Sequence, residues 1–176
     1  MEKKQSKRKF IPLNIAVLTI SDTRTEDSDV AGKRLVEMLE NCQHLLYEKK
    51  IVRDDMESIR LEASNWISNE NVNVILTTGG TGITGRDGTP EALEPLFDKV
   101  IDGFGEIFRA ISYQQIKSSS LQSRAIAGVA NGTFLFCLPG SVNACVTGWE
   151  ELIKYQLDYR TKPCNLVELM PRLKEK

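Results

Sequence analysis

The sequence predicts an α/β fold of three layers, a three-layer α/β/α sandwich in which helices cover both faces of a mostly parallel, mixed sheet. Residues 11–20 form a nearly continuous apolar run, as expected for a strand that is covered on both faces. Strand-like and helix-like segments alternate along the chain, which is typical of this layering. Asn131 and Gly132 separate two apolar runs and form a strong hairpin signal, so one strand pair is predicted to be antiparallel.

The remaining elements follow from apolar periodicity and from capping residues. Strands are predicted at residues 11–20, 45–52, 72–77, 125–130 and 133–138. Helices are predicted from Val30, after Asp55, from a cap at Thr89, over residues 106–115 and after Ser141. Residues 103–105 are predicted to interrupt the helical pattern, and Pro95 to bend or shorten the third helix.

Length and charge limit the classes of protein that the chain can belong to. Its 176 residues suit one domain at residues 11–165, with a flexible basic tail at 1–10 and a C-terminal tail at 166–176. The basic tail is either a nucleic-acid-binding arm or a frayed, solvated end, and the solvated end is the preferred interpretation. A net charge of −1 and the lack of a long apolar segment predict no nucleic-acid partner and no membrane partner.

The cysteines and the single histidine indicate neither a metal site nor a nucleophilic mechanism. No two of the four cysteines have the C-x-x-C spacing of zinc or redox motifs. Cys137 and Cys145 lie in apolar segments and are predicted to be small buried residues. Free thiols without a secretory signal predict a reducing, cytoplasmic location. His44 precedes a predicted strand, and no nucleophile motif accompanies it.

A glycine-rich loop between a strand and a helix is the main functional signal. Residues 79–88 contain five glycines and follow the predicted buried strand at 72–77. Glycines allow the backbone to approach a ligand and to present N–H groups to an anion, and ligands of open α/β sheets bind at the carboxyl ends of strands. A flexible turn that needs glycine only for its backbone conformation is the alternative. The loop lacks the Walker A pattern, and its helix begins too late for a dinucleotide fingerprint.

Two aspartates beside this loop suggest a divalent cation. Asp87 lies within the loop, where a carboxylate would repel an anionic ligand unless a cation lay between them. Mg²⁺ commonly binds one or two carboxylates together with substrate phosphates. Asp54 follows the second strand and is a candidate for the second carboxylate; taken alone, it is more often a helix cap or a solvated loop residue.

Other loops are predicted to border the same edge of the sheet. Ser21 and Asp22 follow the first strand, and residues 123–124 precede the hairpin. Pro139, Gly140 and Ser141 end the last strand and open a helix, which is a second natural anion site. Each loop alone is compatible with simple turn chemistry, but together they outline a broad crevice for a flat, phosphorylated ligand.

Five motifs in order give the chain a family resemblance. LTISD, TTGGTG followed by TPEA, GFGE, SRA and LPGS run through residues 11–164 and resemble the MogA/MoaB family of molybdenum-cofactor biosynthesis, closest to its MoaB-type members. The resemblance implies a homotrimer or homohexamer that binds molybdopterin. The resemblance to MogA-like members also implies an enzymatic activity, the Mg²⁺- and ATP-dependent adenylylation of molybdopterin with release of pyrophosphate.

The resemblance also assigns site residues. Asp54 and Asp87 would be catalytic and would hold Mg²⁺. The residues expected to bind molybdopterin or the nucleotide are Ser21, Asp22, Thr78, Gly79, Gly80, Thr81, Gly82, Ser112, Pro139, Gly140 and Ser141. Two alternatives stay open: a non-catalytic protein that binds and delivers molybdopterin, and an oligomeric scaffold with a vestigial glycine loop.

Overall fold

Six strands form one mixed sheet in the computed structural model of the protein, which describes residues 8–175. The strands are β1 (Asn14–Ile20), β2 (Leu45–Val52), β3 (Val74–Thr78), β4 (Lys99–Val100), β5 (Ile126–Ala130) and β6 (Thr133–Leu138). Their order across the sheet is β2-β1-β3-β6-β5-β4. Strands β2, β1, β3 and β6 are parallel, whereas β5 is antiparallel to both β6 and β4. The predicted mostly parallel sheet with an antiparallel hairpin is therefore confirmed.

Helices cover both faces of this sheet. They are α1 (Val30–Asn41), α2 (Met56–Ile67), α3 (Thr89–Leu93), α4 (Asp102–Ile116) and α5 (Val142–Gly148). A π-helical turn (Trp149–Ile153) and a last turn (Lys154–Gln156) extend α5, and 3-10 turns occupy Glu94–Leu96, Lys117–Gln122 and Val167–Arg172. Among residues 8–175, no helix combines the length and apolar character needed to cross a bilayer.

The central strand β1 shows why the fold has three layers. Ile15 and Val17 point into a core shared with α1, α4 and α5, whereas Ala16 and Leu18 point into a second core shared with α2 and α3. Successive side chains of a strand point to opposite faces, so a run that is apolar at every position must be covered on both sides. All four side chains are fully buried.

The hairpin between β5 and β6 is built as its sequence predicts. Asn131 and Gly132 both adopt positive φ angles, of 48° and 84°. This is the backbone conformation of the two-residue turn that matches the twist of the flanking strands. The turn directs β5 back along β6, and so it produces the antiparallel part of the sheet.

Two helix boundaries differ from the prediction. Helix α4 begins at Asp102 and runs through residues 103–105, which were expected to interrupt it. At Gly105, a Cβ atom would lie 2.6 Å from the carbonyl oxygen of Ala125, so this glycine permits close packing rather than a break. Thr89 is the first residue of α3 and not its cap; its hydroxyl instead donates to the Gly79 carbonyl at 2.9 Å.

An edge strand of the sheet and the C-terminal segment also differ from the prediction. The sequence gives no sign of the two-residue edge strand β4, which pairs with Val129 and Gly128 of β5. The sequence after Asp158 predicts an irregular, polar segment, but this segment includes a 3-10 turn whose Val167 is buried in the core. Part of the predicted N-terminal tail, residues 1–7, lies outside the described residues.

His44 makes the stability of the fold depend on pH. The imidazole is buried beside Phe10 and Trp149, and its Nδ1 accepts the backbone N–H of Leu13 at 3.2 Å. Burial disfavours the charged form and lowers the pKa of His44 to about 4, although the charge of Asp158 acts in the opposite direction. The unfolded chain therefore binds the proton more readily than the folded protein does.

We expect this difference to destabilise the fold as the pH falls from about 6.5 to about 4, by up to roughly 3 kcal/mol. The contribution is fully present above the unfolded pKa and is lost as the pH drops through the folded one. Urea unfolding at several pH values measures it. His44→Asn keeps an acceptor for Leu13 but cannot titrate, so its unfolding free energy should fall less steeply over this range. Parallel curves for the two proteins would contradict the assignment.

Candidate functional site

The carboxyl ends of four parallel strands meet at one edge of the sheet, as the sequence predicts. Ser21 follows β1, Asp54 follows β2, Gly79 follows β3 and Pro139 follows β6. The N–H of Gly79 donates to the carbonyl of Leu138 at 3.1 Å, which joins the glycine loop to the end of β6. Two adjoining cavities lie at this edge.

The first turn of the glycine loop has a backbone that requires glycine. Gly79 and Gly80 adopt φ angles of 105° and 63°. A Cβ atom on Gly79 would lie 2.2 Å from the carbonyl oxygen of Ile20, and one on Gly80 would lie 2.2 Å from the hydroxyl of Thr89. The loop is therefore a packed turn of fixed shape, with its backbone at the rim of the cleft.

A cleft of about 600 Å³ opens beside this turn, and its size suits a small-molecule ligand. The glycine loop forms one wall, and helices α4 and α5 with the 3-10 turn between α4 and β5 form the others. Its lining includes eight residues that the sequence assigns to the site: Gly79, Gly80, Thr81, Gly82, Ser112, Pro139, Gly140 and Ser141. Asp87 lines the same cleft, and Phe108 contributes to its floor while belonging to the core.

Asp54 and Asp87 form an electrostatically coupled pair beside the glycine turn. Burial and then the charges of Asp87 and Asp22 raise the pKa of Asp54. Hydrogen bonds lower the pKa of Asp87, first the one from the hydroxyl of Thr84, although burial opposes them. Burial with neighbouring negative charge at one carboxyl and hydrogen bonding at the other thus shift the two pKa values in opposite directions, and such perturbed pairs are common at functional sites.

Asp54 also contains an unpartnered buried oxygen. Its Oδ1 has no hydrogen-bond partner and would lie 3.0 Å from a Cβ atom placed on Gly80. A buried carboxylate oxygen without a partner is unfavourable unless a cation or a donor completes it. This oxygen and the Asp87 carboxylate provide the hard oxygen ligands that Mg²⁺ prefers. Within residues 8–175, no cluster of three His, Cys, Asp or Glu side chains forms a metal site. A cation here would therefore also need oxygen atoms from the bound substrate to complete its coordination.

Asp22 links the loop after β1 to these acids. Its Oδ1 accepts the backbone N–H of Asp54 at 3.2 Å, and its other oxygen pairs with the guanidinium of Arg86. Asp22 is therefore placed beside the predicted acid pair rather than in the lining of the large cleft. The positive charge of Arg86 lowers the pKa of Asp54, against the effects of burial and of the neighbouring acids.

Ser21 and Thr78 lie on the other side of the glycine turn. A second, smaller cavity of about 250 Å³ adjoins the cleft across Gly79 and Gly140, and Ser21 and Thr78 line it. Thr78 is buried, and its hydroxyl donates to the Pro139 carbonyl at 3.1 Å, which ties β3 to the end of β6. The structure thus divides most of the predicted residues between two cavities that share a glycine wall, whereas Asp22 and Asp54 are in the lining of neither.

Several polar residues of the cleft have no counterpart among the predicted ones. They are Gln115, Ser119, Gln122, Asn143 and Thr147; Ser123, which belongs to the predicted loop before the hairpin, also lines the cleft. The hydroxyl of Thr147 donates to the side-chain Oε1 of Gln115 at 3.1 Å, so α4 and α5 are bridged at the cleft. The four-residue spacing of Asn143 and Thr147 on one helical face is a sequence signal that could have identified these two residues.

The buried thiols do not supply a nucleophile. Burial raises the pKa of Cys137 to about 12 and that of Cys145 to about 11, so both stay protonated near neutral pH. The prediction that these two residues are small buried side chains is confirmed.

Comparison with known proteins now assigns the chain to a family. A family model described as a probable molybdopterin binding domain matches residues 16–159. The chain belongs to this family. Molybdenum cofactor biosynthesis protein B of Escherichia coli K12 is 49% identical over 161 residues, covering 92% of this chain and 95% of that protein. The protein of the same name from Staphylococcus epidermidis RP62A is 42% identical over 152 residues, covering 84% and 86%.

Solved structures of the molybdopterin binding domain family share the fold. A crystal structure of molybdenum cofactor biosynthesis protein B has a TM-score of 0.83 at 44% identity and covers 85% of this chain and 94% of its own. The tungsten cofactor synthesizing protein MoaB from Pyrococcus furiosus has a TM-score of 0.73 at 38% identity, covering 80% and 90%. The chain is therefore a molybdenum cofactor biosynthesis protein of the MoaB type.

Proposed function

We propose that the chain binds molybdopterin in the large cleft and transfers AMP to it from MgATP. One observation carries the catalytic part of this proposal: the pair of Asp54 and Asp87, with an unpartnered buried oxygen on Asp54, stands beside a glycine turn at the rim of the cleft. Acids beside an anion-binding backbone make chemical sense when a cation separates them from the phosphates.

The residues of the cleft suit the two substrates. Backbone N–H groups of the glycine loop, residues 79–82, would contact phosphate oxygens. The helix cap Ser141, whose hydroxyl accepts the Ala144 N–H at 3.2 Å, places the start of α5 against the same cleft. The polar side chains of α4 and α5 offer donors and acceptors to a pterin, which carries hydrogen-bonding groups around a flat ring.

The transfer would proceed by direct displacement. A terminal phosphate oxygen of molybdopterin forms a bond to the α-phosphorus of ATP, the bond from that phosphorus to the bridging oxygen of the β-phosphate breaks, and pyrophosphate leaves. Such a reaction depends on positioning and on charge stabilisation more than on a protein nucleophile. Mg²⁺ held by Asp54 and Asp87 would supply charge neutralisation on the nucleotide phosphates.

A second candidate is binding and delivery of molybdopterin without chemistry. It is favoured by the ion pair between Arg86 and Asp22, because this internal cation already offsets part of the negative charge around Asp54. Both candidates require pterin binding; only the first requires a divalent cation and ATP.

The test combines a transfer assay with a binding measurement on the purified protein. With molybdopterin, Mg²⁺ and ATP labelled in the α-phosphate, we expect label to appear in a pterin product together with one pyrophosphate per product, and EDTA to abolish both. Calorimetric titration with molybdopterin should show binding with or without EDTA. Binding without transfer would establish the delivery protein, and the absence of binding would refute both candidates and favour a scaffold. Sedimentation of the same sample tests the expected homotrimer or homohexamer.

A further inference from the structure

We propose that Arg124 is a positioning residue that sets the place of Asp87 in the cleft. This inference rests on the role proposed above for Asp87. Arg124 lies between the 3-10 turn Lys117–Gln122 and strand β5, and its side chain reaches across to the glycine loop. It bonds to both ends of the short segment that separates Gly82 from Asp87.

The contacts of Arg124 are directed at backbone carbonyls of the loop. Its Nε donates to the Gly82 carbonyl at 2.7 Å, and its Nη2 donates to the Asp87 carbonyl at 3.0 Å. Its Nη1 pairs with the carboxylate of Glu91 in the first turn of α3. The guanidinium is a rigid, planar group with donors in fixed directions, so three bonds on one plane fix the distance between Gly82 and Asp87.

Within the loop, Asp87 is held by a second set of bonds. Its Oδ2 accepts the N–H of Thr84 at 2.9 Å and also the hydroxyl of Thr84. These bonds fold residues 84–87 into a tight turn, but they are internal to the loop and cannot orient it against the rest of the protein. Arg124 orients the backbone of the loop through its two carbonyls and anchors it to Glu91 of α3, and the ion pair between Arg86 and Asp22 adds a second contact with the rest of the protein.

Arg124 also connects two walls of the cleft. Ser123, its neighbour in the chain, lines the same cleft as Gly82, together with Gln122 and Ser119. A shift of this wall would move the guanidinium and, through it, both loop carbonyls. The side chains of Arg124 and Glu91 are 29% and 51% exposed, and ion pairs this exposed add little to stability. The arrangement is better explained by the geometry that it imposes on the loop.

The decisive experiment compares Arg124→Gln and Arg124→Lys with the unmodified protein. Arg109→Gln is the matched control, because Arg109 also donates to one backbone carbonyl, that of Ala125 at 3.1 Å, but does not touch the loop. Amide hydrogen exchange of the peptide covering residues 81–88 should accelerate about tenfold or more in Arg124→Gln, since the bonds that close the loop are lost. Arg109→Gln should leave that peptide unchanged, and the exchange of β1 and β3 should be the same in all variants.

The AMP-transfer assay provides the second readout. In Arg124→Gln we expect kcat/KM for ATP to fall roughly 100-fold, as a small displacement of a catalytic carboxylate can do. Arg124→Lys should recover only part of this, because an ammonium cannot donate to both carbonyls in one plane. The binding of molybdopterin should change little.

The outcomes separate this inference from the proposed function. If hydrogen exchange of residues 81–88 is unchanged in Arg124→Gln, Arg124 does not hold the loop in place, whether or not the protein transfers AMP. Faster exchange with an unaltered transfer rate would refute the positioning role. If the unmodified protein shows no transfer, the proposed function fails by itself, and the positioning role of Arg124 fails with it, because that role needs a catalytic Asp87.

Discussion

Replacing Asp87 with asparagine is expected to lower the rate of AMP transfer by at least roughly 100-fold, and Asp54→Asn should do the same. Asparagine keeps the shape of each side chain but removes the negative charge that a divalent cation needs. In Asp87→Asn the amide oxygen can still accept from Thr84, so the loop should keep its conformation. The loss is therefore expected in catalysis and cation binding, with little change in the free energy of unfolding.

Asp55→Asn is the matched control for this prediction. Asp55 is the neighbour of Asp54 and caps α2 by accepting the Ser58 N–H at 2.8 Å, and asparagine is an equally good cap. Transfer by this variant should equal that of the unmodified protein. Affinity for Mn²⁺, followed by its electron paramagnetic resonance signal, should fall in the two acid variants alone. Full transfer activity in either of them would contradict the catalytic assignment.

Gly79→Ala is expected to destabilise the fold by about 3 kcal/mol or more. The added methyl group would lie 2.2 Å from the Ile20 carbonyl, a backbone atom of the central strand that cannot move aside cheaply. The φ of 105° at this position is also one that alanine rarely adopts. Both effects act on the turn that joins β3 to the cleft, so molybdopterin binding should weaken in parallel.

Gly85→Ala in the same loop is the control, because a Cβ atom there meets nothing within 4 Å. Its unfolding free energy, from urea titration, should change by less than about 0.5 kcal/mol. If the two variants were equally stable, the glycine turn would be a flexible segment rather than a packed one. That result would favour the alternative interpretation of the glycine-rich loop, in which it is a flexible turn that needs glycine only for its backbone conformation.

The sequence predicted those parts of the fold that depend on local pattern. The buried strand β1 is apolar at successive positions, and the Asn131-Gly132 turn needs positive φ angles; both signals are contained in a few adjacent residues. The start of α4 was mispredicted because Gly105 is required by the approach of the Ala125 carbonyl, which is distant in sequence. Strand β4 could not be predicted, since two exposed residues carry no periodic signal.

The candidate site likewise has features that the sequence predicted and features that only the structure shows. The sequence by itself determined the glycine loop, the two aspartates and the strand ends that gather them, because each follows from residue type and from the geometry of a parallel sheet. Only the tertiary structure decided that Asp54 has a buried, unpartnered oxygen, that Ser21 and Thr78 belong to a smaller cavity, and that Arg124 bonds to the loop from outside. The physical reason is that desolvation and hydrogen bonding act between atoms that the fold brings together, and no local pattern encodes those distances.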